Sequence, residues 1–244
     1  MPRQALSLNK GKFGMNMPVK ELEMQTPWKT DTQVLVQSKL SRQERTDLGK
    51  RAFDVLVSLL AMIIASPIML IVAILIKLED PRGPVFFGQV RVGKDGYPFR
   101  MFKFRSMVTD AEERLEQLLE KNEMIGAMFK MKEDPRVTRI GRWIRKTSID
   151  ELPQLWNVFR GQMSMVGPRP SLPREVLQYS DRDFQRLTVT PGCTGLWQVS
   201  GRNRLSFHEM IELDLQYIRH QSLWLDCRII WRTVWQIVRP KGAY

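Results

Sequence analysis

Cysteine and histidine are scarce in this chain of 244 residues, with two of each: Cys193 and Cys227, His208 and His220. Two scattered cysteines exclude a disulfide framework or a zinc site built on cysteine pairs. The two isolated histidines read as surface residues rather than metal ligands, and no Ser/His/Asp signature accompanies them. The glycine spacings of a Walker A loop or a dinucleotide-binding turn do not occur. There is no internal repeat or low-complexity tract, and no apolar stretch precedes Val55, so nothing at the N-terminus has the form of a signal peptide. Acidic residues are also in deficit. Against 38 Lys and Arg stand 26 Asp and Glu, a formal charge of +12, which implies a polyanionic neighbour: nucleic acid, an anionic membrane face or phosphorylated substrates.

Charge is missing altogether from Val55 to Ile76. At about 1.5 Å rise per residue this run matches the thickness of a bilayer's hydrocarbon core, so it is expected to lie in the membrane. Ser66-Pro67 interrupts its middle, and an interior proline removes a hydrogen bond and clashes with the preceding turn at a cost of about 3 kcal/mol. Arg42, Arg45, Lys50 and Arg51 precede the run and Lys77, Arg82, Arg91 and Lys94 follow it. Basic flanks stay cytoplasmic, which places both ends on one side and predicts a re-entrant helix-break-helix turning at Ser66 and Pro67. The alternative is a single-pass helix whose proline kink is satisfied by serine hydroxyls or neighbouring groups. With 43% apolar residues the remainder has enough material for a core.

The expected organisation is a loosely ordered polar extension over 1–48, with a short strand at Val34-Leu35-Val36, a membrane hairpin over 49–80, and a cytoplasmic domain over 81–244. Asp54 stands three residues after Arg51, close enough for an ion pair where the helix meets the headgroups. Two apolar β-rich stretches, Pro84–Phe87 and Phe99–Met107, flank Lys94-Asp95-Gly96, and Asp-Gly is a strong hairpin signal. A helix is expected from Thr109 to Met131, capped by Thr109 with Glu112, and stopped at Asp134-Pro135. Val137, Ile140, Trp143 and Ile144 then oppose Arg136, Arg139, Arg142 and Arg145, a pattern that suits a helix on an anionic membrane or a basic amphipathic helix on the core. After the loop-rich stretch 168–201, Ser206 and Glu209 form a capping box. A last helix carries Trp224, Trp231 and Trp235 among Arg228, Arg232 and Arg239, suited to a headgroup interface or to single-stranded nucleic acid. The fold class is α+β, a small domain with a β-hairpin and amphipathic interfacial helices.

Chemistry concentrates at Arg145-Lys146-Thr147-Ser148-Ile149-Asp150-Glu151-Leu152-Pro153-Gln154-Leu155. Adjacent carboxylates beside a basic stretch can hold a divalent metal while the cations meet phosphate oxygens. Equally, Ser148 and Glu151 have capping-box spacing, and acidic residues in a first turn complement the helix dipole. Gly167-Pro168-Arg169-Pro170 fixes an arginine between prolines, which suits bidentate phosphate contact or a rigid turn. Gly192, Gly195 and Gly201, followed by Arg202, allow backbone N–H groups to approach an anion.

In order along the chain, Lys50-Arg51-x-Phe53-Asp54, Ser66-Pro67, Phe102–Met107, Thr147–Leu155, Val166–Pro170 and Thr194–Asn203 resemble the monotopic polyprenyl-phosphate hexose-1-phosphate transferases, the phosphoglycosyl transferases of bacteria. The resemblance covers Lys50 to Tyr244. It implies transfer of a sugar-1-phosphate from a UDP-sugar to undecaprenyl phosphate with release of UMP. By the same resemblance Asp150 is the nucleophile, Glu151 assists with Mg²⁺, and Arg145, Arg169 and Arg202 contact phosphate or nucleotide. It favours the re-entrant hairpin, because an active site at headgroup depth reaches the lipid phosphate without extracting the lipid. The implied enzyme is monotopic in the inner membrane, with membrane lipids as neighbours, its catalytic domain on the cytoplasmic face and no nucleic acid as a partner. The first 48 residues are too polar to supply the extra transmembrane helices of longer members, which implies a compact form. The Gly195–Val199 segment and the C-terminal Arg239–Tyr244 resemble exopolysaccharide and capsule members, which favours UDP-glucose or UDP-galactose. The sequence leaves the oligomeric state open. A membrane-tethered nucleic-acid-binding module and a non-catalytic scaffold are the rival functions.

Overall fold

The structure, a computed structural model, describes residues 44–111, 113–114, 131, 134–201 and 205–238. The strand expected at Val34–Val36, most of the helix expected over Thr109–Met131, Arg202 and the segment 239–244 lie outside the described residues.

The uncharged run lies in one long helix, α1, from Glu44 to Glu79, with Pro67 inside it. Pro67 has no N–H to offer the carbonyl of Ile63, and Ser66 Oγ donates to that carbonyl instead at 2.8 Å. The expected break is therefore a proline within continuous helical backbone, with the neighbouring hydroxyl supplying the lost bond.

The two ends of α1 are held by the same body, while its middle is bare. Near the start, Lys50 Nζ donates to Asp226 Oδ2 at 2.6 Å, to the Val166 carbonyl at 3.1 Å and to the Tyr217 hydroxyl at 3.2 Å. Arg51 donates to the carbonyls of Val158 and Phe159, both at 2.6 Å, and Asp54 accepts from Met165 N at 2.9 Å. The ion pair expected between Arg51 and Asp54 does not form, because each side chain serves backbone groups of the domain instead. Near the other end Val72 and Ile76 are buried with Phe104 and Ile144, Asp80 pairs with Arg105, and Glu79 accepts from Arg139 N at 2.8 Å. Between these anchors Ile63, Ile64, Ile68, Leu70 and Ile71 are exposed, Ile64 by 77%.

The hairpin follows as the Asp-Gly signal predicts. Strands β1 (Phe86–Val92) and β2 (Pro98–Phe104) pair antiparallel, with Phe86 opposite Phe104 and Val92 opposite Pro98. Asp95 at φ 55° and Gly96 at φ 78° make the turn. Helix α2 runs from Arg139 to Lys146, and Thr138 caps it by accepting from Gly141 N at 2.9 Å. It starts later than its charge pattern suggests: Arg136 is buried and clasps Asp134 instead of facing a membrane. Ile144 is buried, whereas Trp143 is 45% exposed, so the expected apolar stripe divides between core and surface.

Helix α3 (Gln154–Phe159) is locked to the free edge of β2 by Asn157, which accepts from Phe102 N at 3.0 Å and donates to the Arg100 carbonyl at 2.8 Å, as a neighbouring strand would. Two short strands, β3 (Ser164–Val166) and β4 (Gly192–Thr194), pair in parallel. Their backbones touch at glycine: a Cβ on Gly192 would lie 2.0 Å from Gly167 N, and Gly192 N donates to the Pro168 carbonyl. The Gly192 amide is therefore spent on close backbone contact and is withdrawn from the expected anion cradle. Among the described residues four more α-helices follow: α4 (Pro173–Val176), α5 (Leu196–Ser200), α6 (Phe207–Arg219) and α7 (Leu223–Val238). The Ser206 and Glu209 capping box forms at α6. Trp224, Trp231 and Trp235 are exposed on α7.

Asp226 is fully buried. Removing its cation with Lys50→Met leaves an uncompensated buried charge and is expected to lower stability by about 3–5 kcal/mol, read as a fall in Tm by thermal shift. Lys50→Met together with Asp226→Leu is expected to recover much of the loss.

Candidate active site

The Asp-Glu pair sits on a single 3-10 turn, Ile149–Glu151, immediately after α2. Its flanking residues decide its conformation. Ile149 and Leu152 pack onto the cluster of Val72, Ile76, Phe104 and Ile144. Pinning these two side chains turns the intervening carboxylates away from the apolar seam. The α2 helix is closed by Thr147 Oγ1, which donates to the carbonyls of Trp143 at 3.0 Å and Ile144 at 3.1 Å. Ser148 then adopts a left-handed backbone, φ 57°, which is unfavourable for a side chain with a Cβ. No cap hydrogen bond is made by Ser148. The capping box expected from Ser148 and Glu151 is thus not formed, and the Glu151 side chain is engaged elsewhere.

Glu151 Oε1 accepts from Lys103 Nζ at 2.7 Å, and Arg169 Nη1 lies 3.8 Å from the same oxygen. Lys103 comes from β2 and Arg169 from the loop after β3. That loop is itself braced by two buried guanidinium groups. Arg91 Nη1 donates to the Pro170 carbonyl at 3.0 Å while its Nη2 donates to Gln89 Oε1 at 2.6 Å. Arg186 Nη2 donates to the Arg169 carbonyl at 3.4 Å and the same guanidinium pairs with buried Asp214 at 2.7 Å. Beside the loop is a cavity of about 160 Å³, with Arg91, Arg169, Arg174, Arg186, Trp197 and Phe207 in its wall.

Asp150 is buried, and among the described residues no hydrogen bond reaches its carboxylate. Burial and the neighbouring Glu151 charge raise its pKa to about 6, against the lowering influence of Lys103, Arg145 and Arg169. Glu151 moves the other way. Burial acts to raise it, but Lys103, Arg169 and Arg91 outweigh burial and hold the carboxyl well below the usual range. Two adjacent carboxyl groups thereby acquire different characters: Glu151 a fixed anion already neutralised by cations, Asp150 an unengaged and poorly solvated one.

The bacterial sugar transferase profile matches residues 45–240. The chain belongs to the bacterial sugar transferase family. It is 45% identical over 199 residues to the galactosyl transferase CpsE of Streptococcus agalactiae, covering 80% of this chain and 43% of that protein. It is 43% identical over 213 residues to the undecaprenyl-phosphate galactose phosphotransferase of Salmonella typhimurium, covering 86% of this chain and 44% of the relative. The match to the exopolysaccharide production protein ExoY of Rhizobium meliloti is 41% over 201 residues, 81% of this chain and 88% of that protein. The chain thus spans less than half the length of the first two relatives and most of the third.

As a bacterial sugar transferase, the chain brings Arg169 against Glu151 and places Arg145 close enough for its charge to act on Asp150. Arg202 lies outside the described residues. Sequence reasoning missed Lys103, whose signal was available: a cation between Phe102 and Phe104 in an apolar strand. It also missed Arg91 and Arg186, whose role as braces depends on contacts far apart in the chain.

Because the folded pKa of Asp150 is raised, the folded state binds that proton more tightly than the unfolded chain does. The resulting cost appears as pH rises from about 4 through 6 and is fully present above that. Asp150→Asn removes it and is expected to stabilise the protein by up to about 3 kcal/mol at pH 7.5, with the gain fading toward pH 4. Thermal or denaturant unfolding of both proteins across this range checks the sign. A structural carboxylate would give a loss instead.

Proposed function

We propose that this bacterial sugar transferase moves a sugar-1-phosphate from a UDP-sugar to undecaprenyl phosphate and releases UMP, starting a lipid-linked exopolysaccharide or capsule glycan. The observation that carries the reading is the buried Asp150 carboxylate, free of hydrogen bonds among the described residues, beside a Glu151 held by Lys103 and Arg169. A poorly solvated carboxylate with a pKa of about 6 is ionised at neutral pH and loses little hydration on attack. An Asp150 oxygen attacks the sugar-linked phosphorus of the donor, the bond from that phosphorus to the bridging oxygen breaks, and UMP departs with the electron pair. An oxygen of the lipid phosphate then attacks the same phosphorus and expels Asp150. The products are the lipid diphosphate sugar and free carboxylate, with no net proton required. Lys103, Arg145 and Arg169 oppose the charge repulsion between carboxylate and phosphate.

The donor set suits Mg²⁺. One Glu151 oxygen is taken by Lys103, which leaves its second oxygen for a hard cation, and Mg²⁺ is commonly bound by one or two carboxylates together with substrate phosphates. When bound, the ion supplies charge neutralisation at the diphosphate. Arg202 is assigned to the same phosphates with Arg145 and Arg169.

For membrane attachment we favour a re-entrant α1 that enters and leaves on the cytoplasmic face of the inner membrane, with Pro67 inside its continuous helical backbone. A helix that crossed the bilayer could not have both ends clasped by one domain, as Lys50 and Arg51 are at one end and Val72 and Glu79 at the other. The exposed segment from Leu59 to Ile71 spans about 20 Å at helical rise, less than a hydrocarbon core of about 30 Å. Exposed Trp143, Trp156, Trp224 and Trp231 suit the headgroup zone.

UDP-galactose and UDP-glucose are the first donors to try with solubilised protein, undecaprenyl phosphate and Mg²⁺. UMP is the expected nucleotide product, and Asp150→Asn is expected to lose turnover on the order of 10³-fold or more. The acid limb of kcat/KM for the donor is expected near pH 6. Release of UDP, or an Asp150→Asn variant of normal rate, would contradict the reading.

A further inference from the structure

Beside the Asp-Glu turn, the cavity of about 160 Å³ has no part in the chemistry described so far. Its four arginines divide into two kinds. Arg91 and Arg186 are buried and committed, their guanidinium groups spent on Gln89, Pro170, Asp214, Tyr179 and the Arg169 carbonyl. They build the wall. Arg174 is exposed, and its guanidinium makes no hydrogen bond or ion pair among the described residues. Arg169 belongs to both sites, lining the cavity and lying 3.8 Å from Glu151. The acidic member of the wall, Glu175, is occupied in accepting from Leu172 N at 2.8 Å. What remains available is positive, and an anion that enters here is led toward Asp150 by Arg169.

Two aromatic side chains, Trp197 and Phe207, complete the wall from α5 and α6. Trp197 Nε1–H is buried without an acceptor among the described residues, an uncommon state for a buried donor. The volume is below the roughly 300–1,000 Å³ of a site that engulfs a whole drug-sized ligand, and it suits a single planar ring with its substituents outside. Aromatic surface for a ring, beside the unengaged Arg174 guanidinium and an Arg169 held only loosely by Glu151 at 3.8 Å, matches a nucleoside diphosphate in chemical type.

We infer that this cavity is the nucleotide subsite, with the base against Trp197 and Phe207, the diphosphate on Arg174 and Arg169, and Arg91 and Arg186 as positioning residues that fix the Arg169–Pro170 backbone. The inference rests on the transferase reading for its donor, and it adds Arg174, Trp197 and Phe207 to the residues that touch substrate. It also separates the two substrates in space: the nucleotide arrives over the loop after β3, while the lipid phosphate is left the side bounded by α1 and α2.

The test is calorimetric titration of UDP into the full solubilised chain, compared with Arg174→Met, Phe207→Ala and, as a control for non-specific charge, Arg142→Met on the exposed face of α2. Kd for UDP is expected to rise about tenfold in each of the first two and to stay unchanged in the third, the size of one lost charge-assisted hydrogen bond or ring contact. In turnover, KM for the UDP-sugar is expected to rise by a similar factor while KM for undecaprenyl phosphate does not. Arg174 is exposed, so its variant tests the site without risk to the fold, and a thermal scan confirms that Phe207→Ala is folded. UDP affinity equal to wild type in both cavity variants, with UMP release intact, would overturn the subsite and leave the transferase reading standing. Cavity-dependent UDP binding in a protein that releases no UMP from any UDP-sugar would support the subsite and overturn the transferase reading.

Discussion

The apolar seam between α1 and the turn at Ile149–Leu152 is the constraint on which the site depends. Val72 and Ile76 belong to the uncharged run of α1, yet they are buried against Phe104, Ile144, Ile149 and Leu152. The same few side chains therefore join α1, the β-hairpin, α2 and the carboxylate turn. Packing the two partly buried apolar residues that flank Asp150 onto this seam holds the turn in place of a cap, since the apolar area each removes from water contributes a share of the about 1.5–3 kcal/mol that full burial of such a side chain gives. The left-handed Ser148 is tolerated because that seam determines where the chain must go next.

Electrostatics then separates the two carboxylates. Lys103 and Arg169 converge on Glu151, leaving Asp150 with charge in its neighbourhood but no bond to its oxygens among the described residues. A site assembled this way holds a buried, unengaged carboxylate at a cost to stability and spends distant buried pairs, Arg186 with Asp214 and Lys50 with Asp226, on keeping the supporting loops in place. The Lys50, Arg51 and Asp54 cluster shows the same logic at the other end of α1. Three charged side chains just ahead of the uncharged run serve carbonyls and amides of β3 and α3 that short strands and a short helix leave unsatisfied.

Much of this was legible where a short-range rule applies. The Asp95-Gly96 turn gave the hairpin, Ser206 and Glu209 gave the start of α6, and the interleaved tryptophans gave an exposed face on α7. Local rules failed where tertiary packing overrides them. Ser148 has the spacing of a cap and makes none, since the packing of the partly buried Ile149 and Leu152 sets the backbone there. Arg136 continues the basic face of α2 in sequence but turns inward to Asp134. Strands β3 and β4 are three residues each, too short to show any period, and the contact of Gly167 with Gly192 that permits them resembles an anion loop on paper. The convergence of Lys103 and Arg169 on Glu151 joins segments with no local relation, and only the fold brings them together.

The most direct test of the central claim is to look for the covalent step on Asp150 itself. Solubilised protein is incubated with a radiolabelled UDP-sugar and Mg²⁺ in the absence of lipid, quenched and examined by mass spectrometry. The account predicts one UMP released per chain, a sugar-phosphate adduct on the peptide that contains Asp150, discharge of that adduct by undecaprenyl phosphate, and no adduct in Asp150→Asn. UMP formed only when lipid is present, with no labelled protein at any time, would contradict it and indicate direct transfer between the two substrates.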